Sequence, residues 1–143
     1  MNALPAGFIP HFRKSPLTDP WEPLYSKITD AAVIIAMRAG SQHCNSRGFV
    51  HGGMISALAD NAMGLSCAKQ HQPALGLVTV TLNMEFLTAA KEGQWLEFIT
   101  SFTKIGRKID FAQGRVEADG EICALMSATF AVPKVKETES ATS

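Results

Sequence analysis

The chain has no charge of one sign to spare. Thirteen Lys and Arg stand against thirteen Asp and Glu in 143 residues, so there is no overall field to pull it onto nucleic acid or an anionic membrane. Cysteine is scarce. Cys44, Cys67 and Cys123 are odd in number, far apart and without C-x-x-C spacing, which argues against a disulfide framework or zinc site and for a reducing compartment. Long hydrophobic runs are missing as well. The longest, Ala31–Met37, is too short to cross a bilayer, and Met1–Pro10 lacks a basic stretch followed by an apolar one, so no secretory signal is expected. A cytoplasmic protein with neither nucleic acid nor membrane among its partners is the expectation. There is no G-x-S-x-G elbow, no cysteine nucleophile signature, no metal-ligand spacing and no internal repeat.

What is present suits one domain, 1–143. Hydrophobic residues make up 46% and charged ones 18%, enough apolar material for a core that needs no metal or disulfide to fold. Residues 1–27 are rich in proline and aromatics, which predicts an N-terminal arm, a short helix or irregular segment, packing its Phe, Trp and Tyr onto the body. Ala31–Arg38 is an apolar run bounded by Asp30 and Gly40 and reads as a buried strand; Gly40–Gly48 is all turn formers and polar groups, a loop. A helix follows from about Gly52 to Gln70, with Ile55, Leu58, Ala59, Ala62 and Leu65 at helical spacing. Val78, Val80, Leu82, Met84 and Phe86 then alternate with Thr79, Thr81, Asn83 and Glu85, a period-two strand that sets both threonines on its polar face. Three more strands follow, separated by Lys91–Gly93, Gly106–Lys108 and the hairpin signal Asp119-Gly120. The tail, 134–143, is polar and is expected to be disordered. Short turns predict that the last four strands form an antiparallel meander. The class is α+β: a curved antiparallel sheet around one central helix.

The chemistry concentrates in Phe49–Ala68, FVHGGMISALADNAMGLSCA, whose only formal charge is Asp60. Its neighbours three and four residues away are Ser56, Ala57, Met63 and Gly64, small or uncharged, so that face reads as covered rather than solvated. A covered carboxylate is costly without partners or a task. At the helix start, Gly52 and Gly53 permit close approach, and the first N–H groups there lack intrahelical partners and suit a developing oxyanion; a tight turn would use the same pair. Asn45, in the preceding loop, can donate to a carbonyl or hold a water, or simply shape the loop. Thr79 or Thr81 can hold a water or serve only as a strand former. His51 is either a general base or a helix cap, the cap being the simpler reading. Gly53 and Asp60 are separated by about 10 Å along a helix axis. A reacting carbonyl cannot reach both, so if both act, Asp60 comes from a second subunit across a two-fold axis.

Asn45–Gly64, NSRGFVHGGMISALADNAMG, resembles the core motif of the hotdog-fold thioesterases in their PaaI-like, phenylacetate-degradation branch, and Val78–Gln94 resembles the strand and turn that follow in that family. The similarity spans about Ile28 to Val132. It implies a sheet of five or six antiparallel strands wrapping a long helix, and homodimers with a continuous sheet that commonly pair into homotetramers. The implied activity is hydrolysis of acyl-CoA to free acid and CoA, with no cofactor beyond the coenzyme A of the substrate. By position, Asp60 matches the catalytic carboxylate, as nucleophile or as base on water. Gly53 matches the amide that polarises the thioester carbonyl, Asn45 the loop amide, and Thr79 a hydroxyl that places the water. His51 and Gly52 fall among substrate-binding positions, and Gly106, Arg107 and Lys108 match a turn that touches the CoA nucleotide. Ala89 stands where relatives often have proline. A hotdog dehydratase or hydratase using His51, or a non-catalytic acyl-CoA-binding module, are the alternatives.

Overall fold

Gly52–Ala68 forms the helix α1. Ala, Met, Leu and Ile dominate it, and all favour helix. Its start is capped by His51, whose Nδ1 accepts the Gly53 N–H at 2.8 Å. At its end Lys69 reaches the Thr29 and Asp30 carbonyls at 2.8 and 2.9 Å, a cation placed at the negative end of the helix dipole. Met54, Ile55, Leu58, Ala59, Ala62, Met63 and Cys67 are buried, so apolar contacts enclose most of the helix circumference and a wrapped sheet is needed to cover it. Leu65, expected in that core, is only half-buried.

The computed structural model describes residues 3–134. Its strands are β1 Ile9–Pro10, β2 Tyr25–Ile28, β3 Val33–Arg38, β4 Val78–Phe86, β5 Trp95–Lys104, β6 Ile109–Ala118 and β7 Glu121–Ala131. They form one antiparallel sheet in the order β1-β2-β3-β5-β6-β7-β4. The architecture is the expected one, a sheet around one central helix, but with seven strands rather than five or six. The additional pairing comes from the proline-rich N-terminal segment, where β1 sits at the sheet edge, the place where a proline costs no ladder bond. Phe8 and Tyr25 pack on the Trp95 ring at 5.4 and 5.8 Å. Of the expected tail, 135–143 lies outside the described residues.

The expected four-strand meander is also corrected. β5, β6 and β7 do follow one another, and Asp119 and Gly120 turn the last hairpin with φ of 50° and 84°, the two positive angles of a type I′ turn. β4 does not join β5. It pairs with β7 at the far edge, and residues 87–94 carry the chain back across the sheet. Crossing three inter-strand spacings takes about 14 Å, well within reach of that segment.

β4 carries one further irregularity. Thr79 pairs with Phe130 and Thr81 with Thr129, so Val80 is an extra residue in the ladder, a β-bulge. A bulge resets the alternation. The two threonines therefore occupy opposite faces of the strand instead of sharing one: Thr79 turns to the helix, and Thr81 hydrogen-bonds Thr129 at 2.7 Å.

Candidate active site

The expected residues gather in two groups beside α1, one at its start and one at its middle. The first is built by local hydrogen bonds. Asn45 Oδ1 accepts the N–H groups of Arg47 and Phe49 at 2.9 and 3.2 Å, an Asx-type turn that holds the loop. With its oxygen committed, the Asn45 amide has Nδ2–H to offer. The His51 N–H donates to the His43 carbonyl at 2.9 Å, and His43, buried, joins the Gly40 N–H to the Trp21 carbonyl through its two ring nitrogens. The loop and helix start are thus pinned from both sides.

The Gly53 N–H, expected to face a substrate, donates to His51 Nδ1 instead. Gly52, at the first helical position, has an N–H with no partner among the described residues. Both positions are crowded. A Cβ on Gly53 would stand 2.9 Å from the His51 ring, and one on Gly52 3.3 Å from the tip of Phe86. The same cap bears on His51 itself. Its Nδ1 lone pair is occupied, so the neutral ring carries its proton on Nε2 and has no lone pair with which to act as a base.

The second group is built by long-range contacts. The Thr79 hydroxyl donates to Asp60 Oδ1 at 2.6 Å, the short distance of a charge-assisted bond, and the bulge at Val80 aims it there. Asp60 is half-buried, makes no ion pair among the described residues, and keeps Oδ2 free. It opens into a cavity of about 240 Å³ that also touches Thr79, Phe130 and four residues of the N-terminal segment, His11, Arg13, Lys14 and Ser15. The contribution of that segment had no signal in the sequence, because nothing local ties residues 11–14 to residue 60.

Gly106, Arg107 and Lys108 are not among the residues that line the Asp60 cavity. The Gly106 N–H donates to Asp110 Oδ1 at 3.0 Å, and the other oxygen of this fully buried carboxylate pairs with His71 Nε2 at 2.6 Å. Arg107 lines a second cavity with His71 and Lys134, and Leu75 borders both cavities. The thiols carry no nucleophile. Burial, reinforced by Asp110, pushes Cys67 up to about 12, and burial raises Cys44 and Cys123 as well, which keeps all three protonated at neutral pH. Among the described residues no cluster of three His, Cys, Asp or Glu side chains could hold a metal ion, and no helix is long and apolar enough to cross a membrane.

A family model described as the thioesterase superfamily matches residues 47–124, the stretch that holds the helix start, Asp60 and Thr79. A Pseudomonas aeruginosa protein named as an esterase, PA0474, is 37% identical over 135 residues, covering 93% of this chain and 100% of that protein. Mouse acyl-coenzyme A thioesterase 13 is 30% identical over 82 residues, 56% of either chain. Among solved structures, the BH2602 protein of Bacillus halodurans, crystallised with CoA, superposes with a TM-score of 0.69 at 26% identity over 78% of this chain and 74% of that one. The Escherichia coli PaaI protein shares the fold with a TM-score of 0.66 at 20% identity, covering 76% and 82%.

Proposed function

The chain belongs to the thioesterase superfamily and is a thioesterase, and from that premise we propose that it hydrolyses acyl-CoA to the free acid and CoA at a site shared by two protomers. The observation that carries this reading is the Asp60 carboxylate, oriented by the Thr79 hydroxyl at 2.6 Å and open to a cavity. The choice of CoA as carrier is supported by the mouse acyl-coenzyme A thioesterase and by the CoA-bound Bacillus structure.

Asp60 acts as general base. With its own proton on Oδ1, Thr79 leaves oxygen lone pairs facing outward. A water held between those lone pairs and Asp60 Oδ2 donates one proton to each and presents its remaining electrons to the thioester carbon. Asp60 takes a proton as the C–O bond forms. The charge that develops on the carbonyl oxygen is met by the Gly52 N–H and Asn45 Nδ2–H. Collapse of the tetrahedral species breaks the C–S bond and releases CoA as its thiolate, which takes up a proton. A single turnover in H₂¹⁸O tests the base role. It puts the label in the product acid, whereas nucleophilic attack by Asp60 first puts it in the aspartate.

Gly52 and Asp60 sit about 12 Å apart along one helix, so the Gly52 and Asn45 of one protomer serve the Asp60 and Thr79 of the other. β4 suits that assembly. It is an edge strand with Val78, Val80, Leu82 and Phe86 exposed, and exposed apolar edges are open to pairing with another chain. Two β4 strands meeting across a two-fold axis make a homodimer, and dimers pairing make a homotetramer. The turn Gly106–Lys108 supplies cations for the CoA phosphates. No cofactor takes part in this scheme, since backbone and side-chain donors polarise the carbonyl. Three free cysteines suit a reducing, cytoplasmic location.

Thiol release from a panel of acyl-CoAs, wild type beside Asp60→Ala, is the test. A loss of about 10³-fold or more in kcat is expected for removal of a general base. Equal release from both proteins removes Asp60 from the mechanism, and no release by the wild type leaves a binding module.

A further inference from the structure

The cavity at Asp60 is longer than a water site requires. Asp60, Gly64 and Ala68 all line it. They are spaced i, i+4, i+8, one stripe of the helix about 12 Å long. Two small residues beyond the acid leave a channel beside α1, and it starts where the thioester carbonyl of the proposed reaction would sit. The N-terminal segment forms its opposite side through His11, Arg13, Lys14 and Ser15.

That segment brings polar groups without partners. His11 is 4% exposed, its Nδ1 is buried with no hydrogen bond among the described residues, and its ring is held neutral because burial lowers its pKa, against the pull of Glu22 and with the push of Lys14 and Arg13. Buried polar atoms normally find a partner. Lys14 is paired with Glu22 at 3.1 Å, whereas Arg13, an exposed side chain that lines the cavity, has no ion pair among the described residues. The segment itself is anchored: the His11 N–H donates to the Leu24 carbonyl at 2.9 Å, and Trp21 is tied to His43 at 2.8 Å. An acyl pocket meant for plain hydrocarbon would gain nothing from a free guanidinium and an unsatisfied imidazole.

Resting on the thioesterase reading, we infer that this channel receives the acyl group and that Arg13, with His11, selects acyl chains ending in a carboxylate over hydrocarbon chains of the same length. The guanidinium fork matches a carboxylate in a bidentate, charge-assisted geometry, and the neutral imidazole supplies a further hydrogen-bonding group beside it. Arg13 and His11 act here as specificity residues, at the acyl group rather than at the thioester.

Hexanoyl-CoA and adipoyl-CoA, six-carbon chains without and with a terminal carboxylate, test the idea. The readout is the ratio of their kcat/KM values in wild type, Arg13→Gln and Arg13→Glu. The expected wild-type ratio favours adipoyl-CoA. It falls by about tenfold or more in Arg13→Gln, the scale of a lost charge-assisted bond, and inverts in Arg13→Glu. A ratio that favours hexanoyl-CoA in the wild type, or one that does not move in either variant, overturns the inference. Affinities of the matching thioether analogues, which cannot be hydrolysed, read the same preference without turnover. If they show it and neither thioester is cleaved, the thioesterase reading has failed while the pocket assignment stands; if turnover occurs and the analogues bind alike in wild type and variants, the pocket assignment has failed alone.

Discussion

The start of α1 and its middle carry the two halves of the candidate site, and they are made in opposite ways. At the start, Asn45, Phe49, His51 and Gly53 are held by bonds spanning two to four residues. At the middle, Asp60 is held by Thr79, nineteen residues on, under a segment that lies more than forty residues before it. The first half is a turn and a cap, whose geometry follows from residue types in sequence. The second exists only once β4 has found β7, a bulge has formed at Val80, and the N-terminal segment has folded back. Donors that stabilise an oxyanion gain from rigidity of the first kind. A substrate pocket gains from the second, because a distant segment can change its walls without disturbing the acid.

Removing one amide tests the local half hardest. Gly52→Pro deletes the N–H at the first helical position, where proline is well tolerated, and His51 already has the extended backbone that a following proline requires, φ −67° and ψ 132°. We expect kcat for acyl-CoA hydrolysis to fall by about 10²-fold with the thermal midpoint near that of Gly52→Ala, which keeps the N–H. Equal losses in the two variants would assign the effect to crowding against Phe86 and take the oxyanion role from Gly52.

Thr79→Val tests the long-range half at constant shape. Without the hydroxyl, Asp60 Oδ1 loses its donor and the water loses one acceptor. A drop of about tenfold or more in kcat, with Thr79→Ser restoring most of it, is the expected pattern. A serine variant as poor as valine would point to packing rather than to the hydroxyl.

His51→Ala separates cap from base. Loss of a helix cap costs about 1 kcal/mol of stability, readable as a shift in urea midpoint, while hydrolysis persists because the ring contributes no base. Abolished turnover with an unchanged midpoint would return His51 to the chemistry and revive the dehydratase reading.

The smallest effect concerns pH. Burial lowers the His11 pKa from 6.5 in the folded chain. As pH falls below 6.5, the unfolded chain takes up the proton first, so stability that is complete above 6.5 declines until the pH has passed the folded value. The slope is bounded by about 1.4 kcal/mol per pH unit for one group. Urea unfolding between pH 7.5 and 5 measures it, and His11→Phe is expected to flatten the decline. An unaltered slope in that variant would locate the proton uptake elsewhere.

Much of this fold and half of this site can be read before any coordinates are drawn. The helix, its capped start, the three hairpin-linked strands and the positive-φ turn at Asp119-Gly120 rest on residue types and spacing. The lone carboxylate is conspicuous because it is the only formal charge between Phe49 and Ala68. Strand order is less legible. The alternation from Val78 to Phe86 names a strand without naming its neighbour, and the turn at Lys91–Gly93 looks like a hairpin although it ends a crossing. Thr79 and Thr81 are indistinguishable by period, and the bulge separates them. The His51 cap, which the residues do allow, takes up the Gly53 N–H.

By itself, then, the order of residues determined what each segment becomes and which side chains can do acid–base or hydrogen-bonding work, because propensity, capping and turn chemistry act over a few residues. Tertiary structure decided which threonine meets Asp60, and that His11 and Arg13 line one cavity with it. Those outcomes depend on strand pairing and on the return of a distant segment, and such contacts are chosen by packing across the whole chain.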